Sequence, residues 1–310
     1  MPGLFPELPK GAKCTRCKAQ ATIRLPHHHA IFCSECFLQF FRNAVAKALK
    51  KFGTTPGTPL LVAVSGGKDS LAMWNVLRDL GYETKGLHID LGIEAGFSRA
   101  SAEAIERFAS PRNLPWVTYS LKETIGYSIT DIRRKTRRKI CSVCGFLKRQ
   151  MLNRLTIREN YRALAVGHNL DDEAGRLLGN MVRHRTRYFE KQYPYLPSDH
   201  PRLPARLKPL YRLEADEIRI YCAETGIIPL DGRCPLSRGA TSHIFKEALD
   251  FLEDRMPGTK RDFLFSFLKK REQPSLDPDI GSCTRCGEPC YGETCSVCRL
   301  LNQLRGEDPP

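Results

Sequence analysis

Two patterns in this 310-residue chain are equipped for chemistry. The first is Ser65-Gly66-Gly67-Lys68-Asp69-Ser70, set between the apolar run Leu60-Leu61-Val62-Ala63-Val64 and the helix-like stretch Leu71-Ala72-Met73-Trp74-Asn75-Val76-Leu77. Glycine permits a tight turn whose successive N–H groups face one anion. A helix opening there adds its positive end, Lys68 a full charge, and Ser65 and Ser70 hydroxyls for phosphate oxygens. The string differs from the common nucleotide triphosphatase loop, which has four residues between its first glycine and Gly-Lys-Ser/Thr. The second pattern is thiol-based: ten of the thirteen cysteines fall in five Cys-x-x-Cys pairs. Cys14 and Cys17 are separated by fifteen residues from Cys33 and Cys36, and Cys283 and Cys286 stand shortly before Cys295 and Cys298. Each set supplies four thiolates, enough to complete a tetrahedral zinc shell, so two Zn2+ sites are expected. His27, His28 and His29 then read as loop residues, Cys290 as a spare thiol and Cys222 as an ordinary buried one.

Three thiols remain: Cys141, Cys144 and Cys234. A third zinc would need a fourth ligand that the sequence does not offer. A redox dithiol would use Cys141 and Cys144, or pass a persulfide between one of them and Cys234. An iron–sulfur cluster on three cysteines would leave one iron open to substrate or sulfur. Spacing alone leaves these alternatives open.

The elements that must position these groups follow from periodicity. Phe37 to Phe52 has helical apolar spacing and joins the first thiol set to the rest of the chain, and the 53–59 breaker marks a boundary. The apolar run before Ser65, then Lys85–Asp90, Trp116–Tyr119 and Arg162–Val166, read as strands that alternate with helices. That alternation predicts an α/β fold with a doubly wound parallel sheet, its ligands at the carboxyl ends of the strands. Residues 188–212 read as a long mobile connection and 273–281 as a linker. The expected organisation is 1–52 zinc ribbon and helix, 53–272 catalytic domain, 273–310 zinc knuckle.

Lys and Arg number 49 against 34 Asp and Glu, a net charge of +15, which favours a polyanionic partner such as nucleic acid. Six of the seven residues 133–139 are basic, and a second basic stretch spans 183–187. No spanning helix or leader pattern is visible, so no membrane is expected and a cytoplasmic location is the default. Sparse Asn and Gln beside abundant Arg point to a thermophile.

Ser65–Ser70 resembles the PP-loop of the adenylating ATP pyrophosphatases, a HUP-like fold. That resemblance implies ATP and Mg2+, with Ala63 and Val64 binding the nucleotide, Ser65, Gly66, Gly67, Lys68, Asp69 and Ser70 on its pyrophosphate, Ile89 against adenine, and Gly167 and Asp172 near the nucleotide. Further motifs follow in one order: Cys-x-x-Cys ahead of Lys148-Arg149, then Gly167-His168-Asn169-Leu170-Asp171-Asp172-Glu173, then Cys234-Pro235, then the terminal knuckle. Together they resemble the TtuA/Ncs-type tRNA 2-thiouridine synthetases, relatives of the TtcA 2-thiocytidine enzymes, over nearly the whole chain. The resemblance implies a [4Fe-4S] cluster on Cys141, Cys144 and Cys234, with Lys148 and Asp172 catalytic. It also implies tRNA and a thiocarboxylated ubiquitin-like sulfur carrier as partners, and a homodimer. The expected target is tRNA uridine 54, with wobble uridine 34, persulfide transfer and a non-catalytic RNA-binding protein as alternatives. One departure from the family pattern is Leu236, where an aromatic is frequent.

Overall fold

The structure is a computed structural model that describes residues 8–94, 96–161, 163–189, 191–198, 200–237, 241–270 and 280–307. Arg162 and most of the expected 273–281 linker lie outside the described residues. A small hairpin, β1 (Ile23–Leu25) and β2 (Ala30–Phe32), carries the first thiol set and runs into helix α1 (Ser34–Lys51). Phe37, Phe41, Val45 and Ala48 repeat at helical spacing and are all buried. Phe41 stacks on Tyr221 with ring centroids 3.9 Å apart, so the ribbon shares one apolar core with the sheet layer.

The central unit alternates β3 (Pro59–Ala63), α2 (Lys68–Asp79), β4 (Glu83–Asp90), α3 (Phe97–Ala109) and β5 (Trp116–Ser120). Short helices α4 (Leu121–Ile125) and α5 (Ile129–Lys135) lead into the long α6 (Ile140–Arg158), then β6 (Ala163–Ala165) and α7 (Leu170–Val182). Strands β7 (Tyr195–Leu196) and β8 (Ala205–Leu207) precede α8 (Ala215–Glu224), α9 (Thr241–Glu253) and α10 (Thr259–Lys269). The sheet order is β5-β4-β3-β6-β8-β7, parallel except for the edge strand β7. The chain starts at β3 and builds outward on both sides, so the switch point lies between the carboxyl ends of β3 and β6. Leu60, Leu61 and Val62 of β3 and the stretch Ser70–Leu77 of α2 are buried, as a parallel sheet covered on both faces requires.

The second thiol set is held by the hairpin β9 (Gly281–Ser282) and β10 (Pro289–Cys290) and by helix α11 (Ser296–Arg305). Cys283, Cys295, Val297 and Leu300 pack in one core with Leu147, Met151 and Leu155 of α6. Among the described residues no helix is long and apolar enough to cross a membrane.

Residues 188–212 differ from expectation. They add two strands to the sheet and bury Gln192 and Lys208, each 1% exposed. Five prolines break the strand periodicity there. The ladder survives because β8 needs only three residues to pair with β6.

Candidate active site

The turn after β3 is built by local hydrogen bonds that leave its N–H edge open. Ser70 Oγ donates to the Gly67 carbonyl at 2.9 Å and accepts the Ser65 N–H at 3.1 Å. Ser101 Oγ, from α3, donates to the Ser65 carbonyl at 2.7 Å. Gly66 has φ +74, and a Cβ there would stand 2.7 Å from the Ser101 carbonyl. His88 lies beneath, its Nδ1 3.1 Å from the Val64 carbonyl, and burial pushes its pKa down, so the neutral ring donates to that carbonyl. Ile89 follows it at the end of β4, nearly buried.

The turn after β6 closes on this loop. A Cβ on Gly167 would come within 3.1 Å of the Asp69 carbonyl carbon and the Ser70 nitrogen, so glycine is what lets the two turns touch. Asn169 caps α7 and also donates its side-chain amide to Asp69 Oδ1 at 2.9 Å. Lys68 Nζ reaches the same oxygen at 2.6 Å. Asp172 completes the capping box: Asn169 N–H donates to its Oδ2 at 3.1 Å, while Lys246 of α9 pairs with Oδ1. Burial raises the Asp172 pKa, but Lys246 and His168 overcome that and hold it below the ordinary carboxylate range. Sequence reasoning missed Lys246, Ser101 and His88, for no spacing signal ties them to the loop, and it gave no role to Asn169 although the residue stands in the quoted motif.

The expected central thiols lie at the same end of the sheet. Cys141, Cys144 and Lys148 fall on one face of α6, at helical i, i+3 and i+7 positions. Cys234 opens a short 3-10 turn, Pro235–Ser237, which meets α6: Cys141 Sγ donates to the Leu236 carbonyl at 3.5 Å. Burial pushes the Cys144 thiol up against the pull of Lys148, while negative charge on Cys234 and Cys141 adds to the rise, so all four side chains share one field. The segment carrying Cys234 is tied to the loop where Leu230 N–H donates to the Gly66 carbonyl at 2.7 Å. Among the described residues these three Sγ atoms form no set within 4.8 Å of one another, unlike the two terminal sets.

The terminal thiol sets are tighter. In each, all four Sγ atoms lie within 4.8 Å of one another. Cys17 and Cys33 are 3.6 Å apart, and Cys286 and Cys295 3.7 Å. Metal–sulfur bonds of about 2.3 Å in a tetrahedron give edges of about 3.8 Å, so both sets fit one closed four-thiolate ion. Despite burial, backbone amides pull Cys14 and Cys283 down to about 6. Cys290 stays outside its set and donates to the Gly292 carbonyl at 3.1 Å. His27 and His28 do more than line a loop. They lie outside the thiol set and clamp Glu217 of α8, at 3.3 and 2.8 Å. Cys222 is buried as expected, with Sγ 3.7 Å from the Lys68 carbonyl.

Basic side chains crowd the same rim. Arg133, Arg134, Lys135, Arg137, Arg138 and Lys139 are all exposed on α5 and the approach to α6, directly before Cys141. Burial, then Arg149 and Arg176, push Arg206 down to about 10, the mark of guanidiniums gathered with too little negative charge.

A doubly wound sheet with a phosphate-sized turn at its switch point, beside a three-thiol set, defines an ATP-pyrophosphatase-type α/β enzyme fitted for sulfur chemistry. Residues 13–38 match the family described as 2-thiouridine synthetase TtuA, N-terminal LIM domain. The chain is 40% identical to the tRNA-5-methyluridine(54) 2-sulfurtransferase of Thermus thermophilus, over 94% of this chain and 91% of that protein. It is 36% identical to the protein of that name from Pyrococcus horikoshii, over 93% of each. Among solved structures, the U34-tRNA thiolase NcsA from Methanococcus maripaludis, determined with its [4Fe-4S] cluster, superposes with a TM-score of 0.81 at 26% identity, covering 93% of this chain and 95% of that one. The chain belongs to the tRNA-5-methyluridine(54) 2-sulfurtransferase family, whose members are tRNA-modifying enzymes.

Proposed function

We propose that this protein replaces the 2-oxygen of a tRNA uridine with sulfur in two stages, and that its target is the methylated uridine at position 54. The observation that carries the reading is the hydrogen bond from Leu230 to Gly66, four residues ahead of Cys234, which couples the phosphate loop to the three-thiol set.

In the first stage ATP lies across the switch point with its pyrophosphate in Ser65–Ser70 and with Ala63, Val64, Ile89 and Gly167 beside the nucleotide; Mg2+, when bound, would offset the charge of its phosphates. The uridine O2 attacks the α-phosphorus and pyrophosphate leaves, which turns a poor leaving oxygen into AMP. Lys68 and the loop amides stabilise the departing charge. Asp172 orients the nucleotide or its Mg2+. In the second stage sulfur adds at C2 and AMP departs, while Lys148, exposed on the thiol face of α6, neutralises the developing charge. Cys141, Cys144 and Cys234 would hold a [4Fe-4S] cluster, which when bound supplies an iron with an open position for sulfur. The contact of Cys141 with the turn that Cys234 opens supports this three-thiolate donor set.

Zn2+ in the Cys14/Cys17/Cys33/Cys36 and Cys283/Cys286/Cys295/Cys298 sets would fix the terminal modules, 1–52 and 273–310, against the catalytic unit, 53–272, without joining the chemistry. The exposed basic run at 133–139 and the stretch at 183–187 would take tRNA phosphates. A thiocarboxylated ubiquitin-like carrier as sulfur donor, a homodimer and a cytoplasmic location complete the reading. The relatives named for uridine 54 are at 36% and 40% identity, against 26% for the uridine 34 enzyme, which favours position 54.

The deciding experiment is anaerobic purification of the unsubstituted protein and of Cys234→Ser, with iron, labile sulfide and zinc assayed alongside tRNA-dependent pyrophosphate release. Cys234→Ser should lose iron and tRNA thiolation but keep both zinc ions and pyrophosphate release. Iron-free unsubstituted protein that still thiolates tRNA would defeat the cluster and return the persulfide route.

A further inference from the structure

We propose that Lys246 is a positioning residue for the reaction, holding the Asp172 carboxylate in the orientation that nucleotide activation needs. The inference rests on the reading of Asp172 given above and adds a residue that the motifs of this family did not single out.

Both oxygens of Asp172 are engaged by different elements. Oδ2 accepts the Asn169 N–H from its own helix cap, and Oδ1 is taken by Lys246 Nζ, which arrives from α9 across a sequence gap of 74 residues. The chain of contacts continues without a break. Asn169 passes it through its side-chain amide to Asp69, and Asp69 pairs with Lys68 in the phosphate loop. Lys246 therefore stands at one end of a relay, Lys246–Asp172–Asn169–Asp69–Lys68, whose other end meets the expected pyrophosphate.

The placement of Lys246 is set at the level of the backbone. A Cβ on Gly175 would approach Lys246 Cγ to 2.9 Å, and one on Gly179 would meet the Phe245 ring at 3.0 Å. The two glycines, one turn apart on α7, form a notch in which α9 lies. Arg183 closes the far side over the Phe245 ring, 4.7 Å from its centroid. Between the helices is a cavity of about 450 Å3 that Asp172 and Lys246 both line. A lysine serving only to fix two surface helices would have no reason to end on the second aspartate of the Asp-Asp pair. Asp171 already fixes α7 by accepting from Lys260 at 2.7 Å and from the Ala215 N–H at 2.7 Å.

The charged groups around Asp172 are Lys246 and His243 from α9, His168 from the turn before α7, Glu173 and Arg176 on α7, and Lys68 with Asp69 from the loop through Asn169. Of these, Lys246 makes the direct pair. Its removal should free one carboxylate oxygen, leaving the group held only by its own helix cap.

The test uses the full chain and tRNA-dependent pyrophosphate release at neutral pH, with ATP affinity measured separately. Lys246→Met should lower kcat/KM about tenfold, chiefly through kcat with ATP affinity little changed, while Lys246→Arg restores most of the loss. Gly175→Ala, which keeps the lysine but crowds its stem, should lower kcat in the same direction by less, and it carries the test if Lys246→Met fails to fold. A kcat/KM unchanged in Lys246→Met, or a loss that arginine does not relieve, overturns the proposal. Asp172→Asn separates the levels. If it is inactive while Lys246→Met is normal, only the lysine's role falls; if it is fully active, the reading of Asp172 falls and takes the lysine with it.

Discussion

At the scale of single residues, the site is defined by close approaches more than by reactive groups. Gly167 is the sharpest case, because the two turns at the switch point touch through the space a side chain would fill, 3.1 Å from the Ser70 nitrogen. Gly167→Ala should push the phosphate loop away from α7 and strain both, at a cost of about 1–3 kcal/mol. The expected result is a several-fold rise in the KM for ATP in pyrophosphate release, with a lowered Tm and unchanged tRNA affinity. Equal ATP KM values would show that the loop has room to spare. Ser65, Gly66, Lys68 and Asp69 could be read from the sequence because phosphate binding requires their types in that order. Asn169 and Lys246 could not, since a capping amide and a surface lysine look the same wherever they occur.

At the scale of elements, the ribbon hairpin is fastened to α8 by charge as well as by the Phe41–Tyr221 stack. Burial alone would lower the His27 imidazole, yet Glu217 raises it above its ordinary 6.5. Despite its own burial, Glu217 is brought down to about 2 by His27 and His28, while burial lifts Glu214 to about 7. The signs then fix a window. The His27 contribution is complete below 6.5 and fades as pH rises through its higher folded value. The Glu217 contribution is complete above 4.5 and is lost as pH falls toward 2. Glu214, favoured in its neutral form, adds a penalty as pH rises from 4.5 through about 7. The clamp should thus be strongest near about pH 5 and weaken steadily as pH rises toward about 8. Limited proteolysis of the first 52 residues across that range should show it. Glu217→Gln should cost about 3–5 kcal/mol and flatten the pH dependence. The helical spacing of α1 and the thiol spacing were legible in sequence. The partner of the histidines was not, because it lies 190 residues away.

At the scale of the whole molecule, the net charge of +15 includes an exposed basic run beside the chemistry. The exposed run 133–139 ends one helical step before Cys141, so a phosphate backbone drawn to it arrives beside the thiols. Affinity for tRNA should fall steeply with salt. Replacing Arg137 and Arg138 with alanine should reduce the slope of log K against log salt by about 2 while leaving ATP binding intact. A slope unaffected by that pair would move the RNA path elsewhere on the surface. Residues 188–212 teach the converse lesson, because a stretch that reads as loose connection supplies two strands and the buried Lys208–Glu173 pair at 2.6 Å.

What the sequence by itself determined is whatever depends on local order. That covers the alternation that makes a parallel sheet, the phosphate loop at a strand end, two four-thiol sets and the motif series that marks the family. Local order suffices there because each group meets its neighbours within a few residues, or repeats at the period of a helix or strand. Only the tertiary structure decided which distant groups meet: Cys234 with α6, Leu230 with the phosphate loop, His27 with Glu217, and Lys246 with Asp172. Those meetings are products of how helices settle on the sheet. That packing is set by the apolar cores beneath the helices, with Gly167, Gly175 and Gly179 giving the close approaches at the site.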